Sequence, residues 1–313
     1  MWSKLLACYG VGQLAACPTL AMPSHHISVL PAEVLAGLDP RPGQTIIDAT
    51  VGVGGHTRLL AERVQPNGLV IGLDQDATML EQARSHLNGL PVCLVHANFE
   101  NCLDVLQNLQ KSPVDAFLAD LGFCTDQLAD PARGFSFQQD GPLDMRLDPS
   151  QGEPASALVR RLREKDLADV IFQYGEERFS RRIAKTIVAT RNETPLETTA
   201  QLADLVRRCV PRSKGSHIDP VTRTFQALRI AVNDELGALE RLLTALPDCV
   251  KPGGRAAIIS FHSLEDRMVK RAFRDETTWE VITRKPLVAG DEEIAANPRA
   301  RSAKLRIARR IGG

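Results

Sequence analysis

Residues 48–56 read Asp48-Ala49-Thr50-Val51-Gly52-Val53-Gly54-Gly55-His56, a glycine-rich turn between two patterned segments. The apolar run at residues 45–49 predicts a short buried strand, and residues 57–64 predict a helix. Glycines between a strand and a helix let the backbone turn sharply and approach a ligand closely. The segment therefore indicates an α/β fold with a ligand at the carboxyl end of its first strand.

The alternation of strand and helix continues beyond this turn. Further strands are predicted at residues 69–74, 92–95 and 115–120, with helices at 76–87 and 99–109 between them. After a gap, the pattern resumes with a strand at 255–261, a helix at 264–274, and two last strands at 279–284 and 303–308. Strands that alternate with helices at this spacing predict a parallel sheet covered on both faces. We expect a doubly wound, mostly parallel Rossmann-like sheet.

The gap between the fourth and fifth strands predicts a helical insert. Residues 130–152 are rich in Pro, Gly and Asp and predict an ordered loop, whereas residues 154–210 are mainly helical and basic. One long helix is predicted from apolar residues spaced by four, four, three, four and three: Leu228, Val232, Leu236, Leu239, Leu243 and Leu246. A turn is expected at residues 251–254. The predicted divisions are an N-terminal extension at 1–22, a core at 23–124, the insert at 125–222 and the rest of the core at 223–313.

Composition and charge narrow the class of protein. The chain has 313 residues, of which 43% are apolar, and 38 Lys+Arg balance 38 Asp+Glu, which excludes a disordered or fibrous protein. No segment approaches the roughly 18 uncharged apolar residues of a membrane span. Residues 1–150 carry 8 basic and 16 acidic side chains, whereas residues 155–230 carry 15 and 9. This asymmetry predicts one module for a small ligand and another for a polyanion, the alternative being a set of solvated helix faces.

The cysteines and the N-terminus bear on the compartment. The seven cysteines form no Cys-x-x-Cys pair and fit no zinc pattern, so no metal is expected, and reduced thiols fit the cytoplasm. Residues 1–21 have one charge and end near Leu14-Ala15-Ala16-Cys17, which resembles a lipoprotein cleavage site. The alternative, which we favour, is an extension that precedes a start at Met22.

A carboxylate after the second strand points to the class of ligand. Asp74 lies 20 residues beyond Gly54, where it can accept hydrogen bonds from two ribose hydroxyls, so the two features predict an adenosine-bearing cofactor. A dinucleotide site requires a small residue where this chain has Thr57. The adjacent glycines at 54 and 55 instead suit S-adenosylmethionine, which has no phosphates. We expect Phe99, after the third strand, to pack on adenine.

The fourth predicted strand ends in Asp120-Leu121-Gly122-Phe123. Many amino-group methyltransferases carry Asp or Asn, two prolines and an aromatic residue at this place. An exocyclic amine on a pyrimidine is a poor nucleophile because its lone pair is delocalised, so acceptors must orient it as the methyl group arrives. Asp120 is predicted to orient such an amine or to bind the cofactor, the alternative being a carboxylate that caps backbone amides.

From residue 26 to the C-terminus the chain resembles the bacterial small-subunit ribosomal RNA methyltransferase H family, also known as the MraW family. Besides residues 48–56, the resemblance rests on His26-Ile27-Ser28-Val29-Leu30, Arg133-Gly134-Phe135-Ser136-Phe137, Asp140-Gly141-Pro142-Leu143-Asp144-Met145-Arg146, Tyr174-Gly175-Glu176-Glu177-Arg178, Thr222-Arg223-Thr224-Phe225-Gln226-Ala227-Leu228-Arg229, Ser260-Phe261-His262-Ser263-Leu264-Glu265-Asp266-Arg267 and Asn297-Pro298-Arg299-Ala300-Arg301-Ser302. So many segments in one order are highly specific.

The resemblance implies a fold of this kind with a helical insert and S-adenosylmethionine as methyl donor. It implies methylation of N4 of a cytidine in the decoding region of 16S-type ribosomal RNA, with the assembled small subunit as substrate. The cofactor contacts that it implies are Gly54, Gly55, His56, Asp74, Phe99, Asp120 and Gln127. Both a monomer and a homodimer remain open.

The chain departs from the family directly after Asp120-Leu121-Gly122. The family usually has a small residue, two serines, Pro and Gln, whereas this chain has Phe123-Cys124-Thr125-Asp126-Gln127. Phe123 is bulkier, Cys124 is a weaker hydrogen-bond partner and Asp126 adds a charge. These changes bear on the geometry beside the target base more than on cofactor binding.

Two further segments are candidates for the substrate side. Phe135, Phe137, Asp140, Asp144 and Arg146 lie in a polar loop that can close over a flipped-out base, the alternative being a structural plug. His262 follows the fifth strand and is predicted to orient the base. The alternative is a histidine at the end of the strand whose hydrogen bonds are all made within the protein.

An RNA surface should be positive and salt-sensitive. The candidates on the insert are Arg160, Arg161, Arg163, Arg178, Arg181, Arg182, Lys185, Arg207, Arg208, Arg212 and Lys214. The basic tail adds Arg299, Arg301, Lys304, Arg306, Arg309 and Arg310.

Three alternatives to an RNA methyltransferase stay open at this point. A nicotinamide-dependent oxidoreductase would bind NADH despite Thr57. A catalytically altered RNA-binding or assembly factor would bind the cofactor without transferring methyl groups. A small-molecule methyltransferase would have an affinity for RNA that does not fall with salt.

Overall fold

The computed structural model describes residues 27–211 and 219–312. The extension predicted at residues 1–22 and the basic residues Arg212 and Lys214 lie outside the described residues. No helix in the described part of the chain is both long and apolar enough to cross a membrane.

A seven-stranded sheet forms the centre of the molecule. Its strands are β1 (Thr45–Asp48), β2 (Leu69–Asp74), β3 (Val92–His96), β4 (Val114–Asp120), β5 (Val250–Ser260), β6 (Trp279–Val281) and β7 (Lys304–Arg310). They lie in the order β3-β2-β1-β4-β5-β7-β6, the first five parallel and β7 antiparallel to both its neighbours. The doubly wound, mostly parallel Rossmann-like fold is thus confirmed. Its strand order reverses between β1 and β4, and ligands bind at such a reversal point in open α/β sheets.

Helices pack on both faces of the sheet and form a separate group between β4 and β5. The helices are α1 (Pro31–Leu38), α2 (Gly55–Val64), α3 (Ala77–His86), α4 (Cys102–Asn108), α5 (Thr125–Ala129), α6 (Ala155–Arg161), α7 (Glu164–Gly175), α8 (Ser180–Glu193), α9 (Thr199–Cys209), α10 (Val221–Asn233), α11 (Glu235–Cys249), α12 (Ser263–Ala272) and α13 (Asp291–Ala296). Short 3₁₀ turns occupy Phe99–Asn101, Pro131–Arg133 and Pro298–Ser302.

Alternate residues of the strands supply the two faces of the sheet. On β4, Phe117 packs with the cluster under α4, α11 and α12, whereas Leu118 packs with the cluster under α1 and α2. This alternation follows from the period of two along a strand. A third cluster lies within α6 to α10 and includes Phe225 of α10. α10 therefore spans the predicted boundary at residue 222 and buries apolar side chains among the other helices of the insert.

The single long helix predicted through residues 228–246 is wrong. α10 ends at Asn233, and α11 begins at Glu235 after Asp234, which adopts a left-handed conformation with φ of 46°. Local polar bonds stabilise the break, because the Asn233 side chain donates to the carbonyl oxygens of Arg229 and Met145 at 2.9 and 2.8 Å. The apolar periodicity persists across this one residue, which is why the pattern hides the break.

The turn predicted at residues 251–254 lies within β5 as an interruption of its pairing. Val250 pairs with Val114, but the next pair joins Arg255 to Ala116, so four residues stand opposite one. Gly253 has φ of +80°, which glycine adopts without strain. Regular pairing then continues to the end of β4, where the candidate site lies.

Candidate functional site

A cleft opens at the carboxyl ends of β1, β2 and β4, where the strand order reverses. It has a volume of about 980 Å³, counting the space open to solvent. Seven of the predicted site residues line it: Gly55, His56, Asp74, Phe99, Asp120, Gln127 and Arg299. The helix break brings Asn233 and Glu235 to the same cleft. One cavity thus collects residues that lie up to 244 positions apart in the chain.

The glycine-rich turn after β1 forms one wall of the cleft. Gly52 and Gly54 have φ of 54° and 94°, which side chains rarely adopt. The N–H of Gly52 donates to Asp74 at 2.8 Å. A Cβ on Gly55 would lie 2.0 Å from Ser28 Oγ, so a side chain fits here only if the Ser28 hydroxyl turns away. Gly54 packs instead toward Leu87, outside the lining of the cleft.

Asp74, at the end of β2, faces the cleft beside this turn. Its carboxylate accepts hydrogen bonds from the backbone N–H groups of Gly52 and Asp76, each at 2.8 Å. Burial raises the pKa of Asp74 to about 6, although these two bonds oppose the rise. The carboxylate therefore fixes the turn and retains acceptor capacity for a ligand, since two oxygens offer about four lone-pair sites.

Asp120, at the end of β4, lies opposite in the same cleft. Its backbone N–H donates to Thr50 Oγ1 at 2.6 Å, and His56 Nε2 lies 3.8 Å from its Oδ2. Its Oδ1 is buried and has no hydrogen-bond partner in the described part of the chain. Burial raises the pKa of Asp120 to about 7, against the opposing effect of the Arg299 charge. A buried acceptor without a partner indicates a ligand that donates there.

Gln127 lines the cleft and also joins two of its walls. Its carbonyl oxygen accepts from the N–H of Cys124 at 2.8 Å, and its amide donates to Asp76 at 2.8 Å. Asp76 caps the start of α3 and also accepts from Arg133 at 2.6 Å. Arg133 in turn donates to the carbonyl oxygen of Leu147 at 2.9 Å, which ties the insert to the core. Sequence reasoning missed this role of Arg133, because its partner Asp76 lies 57 positions earlier in the chain and no local pattern signals the contact.

Phe123 lies in a cluster of rings and guanidinium groups at the mouth of the cleft. It stacks on Phe135 with ring centres 5.3 Å apart and planes 6° apart. The guanidinium carbons of Arg229 and Arg299 lie 4.7 and 5.5 Å from the Phe123 ring centre. The bulky residue that departs from the family pattern is therefore accommodated by aromatic stacking and cation–π contacts.

The remaining residues of the predicted substrate loop lie outside the lining of the cleft. Phe137 packs edge-on against Phe225, with ring centres 5.2 Å apart. Asp140 is exposed and accepts from the N–H of Ala200 at 3.0 Å, at the start of α9. Asp144 and Arg146 bind each other through two bonds of 2.8 and 2.9 Å. These contacts account for the polar side chains of the loop, and their proposed contact with a base stays a prediction.

His262 and Glu265 cap the start of α12 beside the cleft. The N–H of Glu265 donates to His262 Nδ1, and Glu265 accepts from the N–H groups of Phe261 and His262. Glu265 lines the cleft, whereas His262 does not. Burial opposes ionisation of Glu265, but its bonds with His262 and the backbone prevail and keep its pKa below the usual value.

One group of donor atoms near the cleft has the spacing of metal ligands. Glu235, His262 and Glu265 offer atoms within 4.8 Å of one another. Both glutamates already have protein partners, since Glu235 binds Arg229 and Glu265 accepts from backbone amides. These partners explain the cluster without an ion.

The predicted RNA-binding residues differ in how far their charges are neutralised. Arg161, Arg163 and Arg207 pair with carboxylates on the insert, and Arg306 and Arg309 pair with carboxylates across β7. By contrast, Arg181, Arg182 and Lys185 are exposed on α8 and have no carboxylate oxygen within 4.0 Å among the residues that the structure describes. Arg301 is also exposed, two residues after Arg299. Arg160, Arg178 and Arg208 are likewise exposed and have no such carboxylate among the described residues, so the free positive charge extends from α6 to α9, with three of its cations on α8.

Comparison with known proteins gives a consistent set of similarities. The model of the MraW methylase family matches residues 23–311. The chain is 51% identical over 290 residues to the ribosomal RNA small subunit methyltransferase H of Sorangium cellulosum, covering 92% of this chain and 91% of that protein. It is 50% identical over 288 residues to the protein of the same name from Deinococcus deserti, covering 91% and 93%. Among solved structures, a Streptococcus thermophilus rRNA methylase is similar at 12% identity and a TM-score of 0.41, covering 90% and 93%.

Proposed function

The chain belongs to the MraW methylase family of S-adenosylmethionine-dependent methyltransferases, and from this premise we propose that it methylates N4 of a cytidine in the decoding region of small-subunit ribosomal RNA. The nicotinamide-dependent alternative is wrong for a chain of this methylase family. The proposed substrate is the small ribosomal subunit, and the proposed compartment is the cytoplasm, where the subunits are made. The proposal rests on Asp120 Oδ1, a buried acceptor for which the described residues supply no hydrogen-bond donor.

The cleft fits S-adenosylmethionine by its donors, acceptors and open space. A Cβ on Gly52 would meet no atom within 4 Å, so the turn leaves room for a ligand beside the backbone. Asp74 is the proposed acceptor for the two ribose hydroxyls, and Phe99 is the proposed neighbour of the adenine ring. When bound, S-adenosylmethionine supplies a methyl group whose C–S bond breaks, with its electron pair leaving on sulfur, as the amine nitrogen bonds to carbon.

Asp120 is proposed to orient the amine that receives this methyl group. The partnerless Oδ1 can accept a hydrogen bond from N4, which turns the amine toward the donor and favours the nucleophilic lone pair. After transfer, the amine nitrogen loses one proton, which water accepts. The role of Asp120 is therefore orientation and electrostatic stabilisation rather than strong base catalysis.

The proposed RNA substrate fits the charge on the insert. The exposed and unpaired cations of α8 supply the sequence-independent attraction that phosphates require. The curated relatives carry the name ribosomal RNA small subunit methyltransferase H, and that name supports the same substrate for this chain. A small-molecule methyltransferase has no need of such a surface.

The test is transfer of label from methyl-labelled S-adenosylmethionine to small subunits that lack the modification, followed by nucleoside analysis. N4-methylated cytidine is the expected product on the particle, and it should fall strongly with Asp120→Ala. Naked ribosomal RNA, tested in parallel, distinguishes an RNA substrate from a particle substrate. Label on another atom would overturn the proposed target. Cofactor binding without any transfer would instead favour the RNA-binding or assembly factor.

A further inference from the structure

Arg299 is a partly buried cation in the cleft that has no acidic partner. Its guanidinium group donates to the carbonyl oxygen of Phe123 and to Thr125 Oγ1, the latter at 3.4 Å. No carboxylate oxygen lies within 4.0 Å of it among residues 27–211 and 219–312. Buried charges are usually paired because their desolvation is costly. The arginine is therefore retained at a cost in stability, which indicates a function in the cleft.

Three other arginines of low exposure show the usual arrangement, whereas Arg191 and Arg310 bind backbone carbonyl oxygens away from the cleft. Arg229 binds Glu235 at 2.7 Å, Arg306 binds Asp266 at 2.7 Å and Arg133 binds Asp76 at 2.6 Å. Arg299 instead lies between two aromatic rings, with its guanidinium carbon 5.5 Å from the ring centre of Phe123 and 5.6 Å from that of Phe261. Rings and a carbonyl oxygen fix the orientation of the guanidinium plane without neutralising its charge.

Asp120 provides the complementary group in the same cleft. Both side chains line the cavity, and the positive charge of Arg299 acts on the Asp120 carboxyl. Asp120 Oδ1 has no donor among the described residues. The Arg299 guanidinium has five N–H donors and makes two hydrogen bonds there. The cleft thus presents an unused acceptor near unused donors.

We propose that Arg299 donates a hydrogen bond to N3 of the target cytosine while Asp120 accepts one from its N4 amine, so that the two residues select cytosine over uracil. This inference rests on the proposed function. It assigns Arg299 to the base and not to the methyl donor or to a phosphate.

The choice of base follows from the order of donors and acceptors on the ring edge. Cytosine offers an N4–H donor beside the N3 acceptor, which matches the acceptor of Asp120 and the donors of Arg299. Uracil reverses both groups, so its O4 would face the carboxylate and its N3–H would face the guanidinium. Adenine has the same order as cytosine at N6 and N1. The pair therefore discriminates against uracil, and a purine must be excluded by its size.

The test is a cycle that changes the arginine and the base atom separately. Small subunits are reconstituted with cytidine or with 3-deazacytidine at the target position, since the deaza base keeps the amine but replaces N3 with a C–H group. Wild-type protein and Arg299→Met are compared on both substrates by single-turnover rates at subsaturating protein. Arg84→Met, which removes an exposed arginine paired with Glu81, is the control.

We expect each single change to lower the rate about tenfold to a hundredfold, the usual range for a base-edge contact. The rate of the Arg299→Met protein should then be less than about threefold lower on 3-deazacytidine than on cytidine, because the hydrogen bond to N3 is already absent. If the rate loss from Arg299→Met and the rate loss from 3-deazacytidine multiply when combined, the inference is overturned. An Arg299→Met protein with weakened affinity for S-adenosylhomocysteine and a full deaza penalty would assign the arginine to the donor. A shallower salt dependence with a full deaza penalty would assign it to a phosphate.

Two further measurements keep this result separate from other failures. If Arg299→Met does not fold, Arg299→Lys keeps the charge but loses the planar fork, and its deaza penalty should still shrink. If wild-type protein forms no N4-methylcytidine on unmodified subunits, the proposed function fails as a whole. If it forms the product but the two losses multiply, only the role of Arg299 is overturned.

Discussion

Arg229 and Glu235 form a two-point ion pair, with N–O distances of 2.7 and 2.8 Å, across the break between α10 and α11. The pair is largely buried and spans the left-handed residue Asp234. It therefore holds the two helices at the angle that brings Asn233 and Glu235 to the cleft. The same guanidinium contacts the ring of Phe123, so one arginine connects the helix break to the end of β4.

The buried pair should be far more important for stability than a surface pair on the next helix. Arg229→Met leaves Glu235 without its partner and should lower the free energy of unfolding by about 3–5 kcal/mol. Arg241→Met removes solvent-accessible pairs with Asp234 and Glu100 and should cost about 1 kcal/mol. Urea unfolding measures both. Equal losses in the two variants would contradict the structural role assigned to Arg229.

Gly55 should tolerate a methyl group fully only if its neighbour is shortened. Gly55→Ala places a Cβ 2.0 Å from Ser28 Oγ and should weaken S-adenosylmethionine binding about threefold to tenfold, because the Ser28 hydroxyl must turn away along the wall of the cleft. The double variant Gly55→Ala, Ser28→Ala should recover part of this affinity. Gly290→Ala, where a Cβ meets nothing within 4 Å, is the control. Calorimetric titration checks the prediction, and the absence of recovery would argue against this steric clash.

The raised pKa of Asp120 predicts a pH dependence of stability. Its pKa is about 7 in the folded protein, against 3.8 for an ordinary aspartate. A raised pKa favours the folded state below about pH 4, and this contribution is lost as the pH rises to about 7. The free energy of unfolding of Asp120→Asn should therefore rise by roughly 2–4 kcal/mol relative to that of the wild type between about pH 4 and 7. Chemical unfolding at several pH values tests this, and a constant difference between the two proteins would contradict it.

The same carboxyl should set the pH dependence of activity. Only the ionised form is an acceptor at both oxygens, so the methylation rate at low substrate should rise with pH around 7. Arg299→Met removes the positive charge that lowers the pKa of Asp120, so the midpoint of the remaining activity should move to higher pH. Rates of label transfer between pH 5.5 and 9 measure both midpoints (a range in which RNA stays intact on the assay timescale). A shift to lower pH would contradict the coupling.

The cations of α8 should govern RNA affinity and its salt dependence. The triple variant Arg181→Ala, Arg182→Ala, Lys185→Ala should weaken RNA binding and reduce the salt slope by up to about 3, one for each phosphate that the variant no longer binds. The control is the triple variant Arg41→Ala, Arg58→Ala, Arg84→Ala. It changes the net charge equally, but its exposed arginines lie outside the insert. Filter binding at several salt concentrations distinguishes them. Equal slopes in both variants would place the RNA elsewhere.

Local sequence was sufficient to predict that the residues of the proposed cofactor half line one cleft. The glycine turn, Asp74 and Asp120 each follow a strand whose apolar pattern is clear, and parallel strands bring their carboxyl ends together. Their proximity therefore follows from the fold class alone. The roles assigned to these residues remain predictions.

The geometry of the proposed substrate half could not be predicted in the same way, because distant contacts create it. Arg299 reaches Phe123 across 176 positions, and no periodicity encodes that distance. The polar residues Asp140 and Asp144 have their bonds within the loop and at the start of α9, which composition cannot distinguish from a ligand site. The helix break at Asp234 was hidden because a single left-handed residue preserves the apolar spacing.

The position of β7 in the sheet has a consequence for how the protein acquires its activity. β7 is the last described strand, yet it lies between β5 and β6, and Arg299 is held in the short turn just before it. When the nascent chain reaches only residue 303, β7 is still missing. β6 then lacks its neighbour in the sheet, and the turn that holds Arg299 lacks the strand that follows it. The half of the sheet that is proposed to bind the methyl donor can assemble early in translation, but the half that is proposed to select the base must wait until β7 has been made.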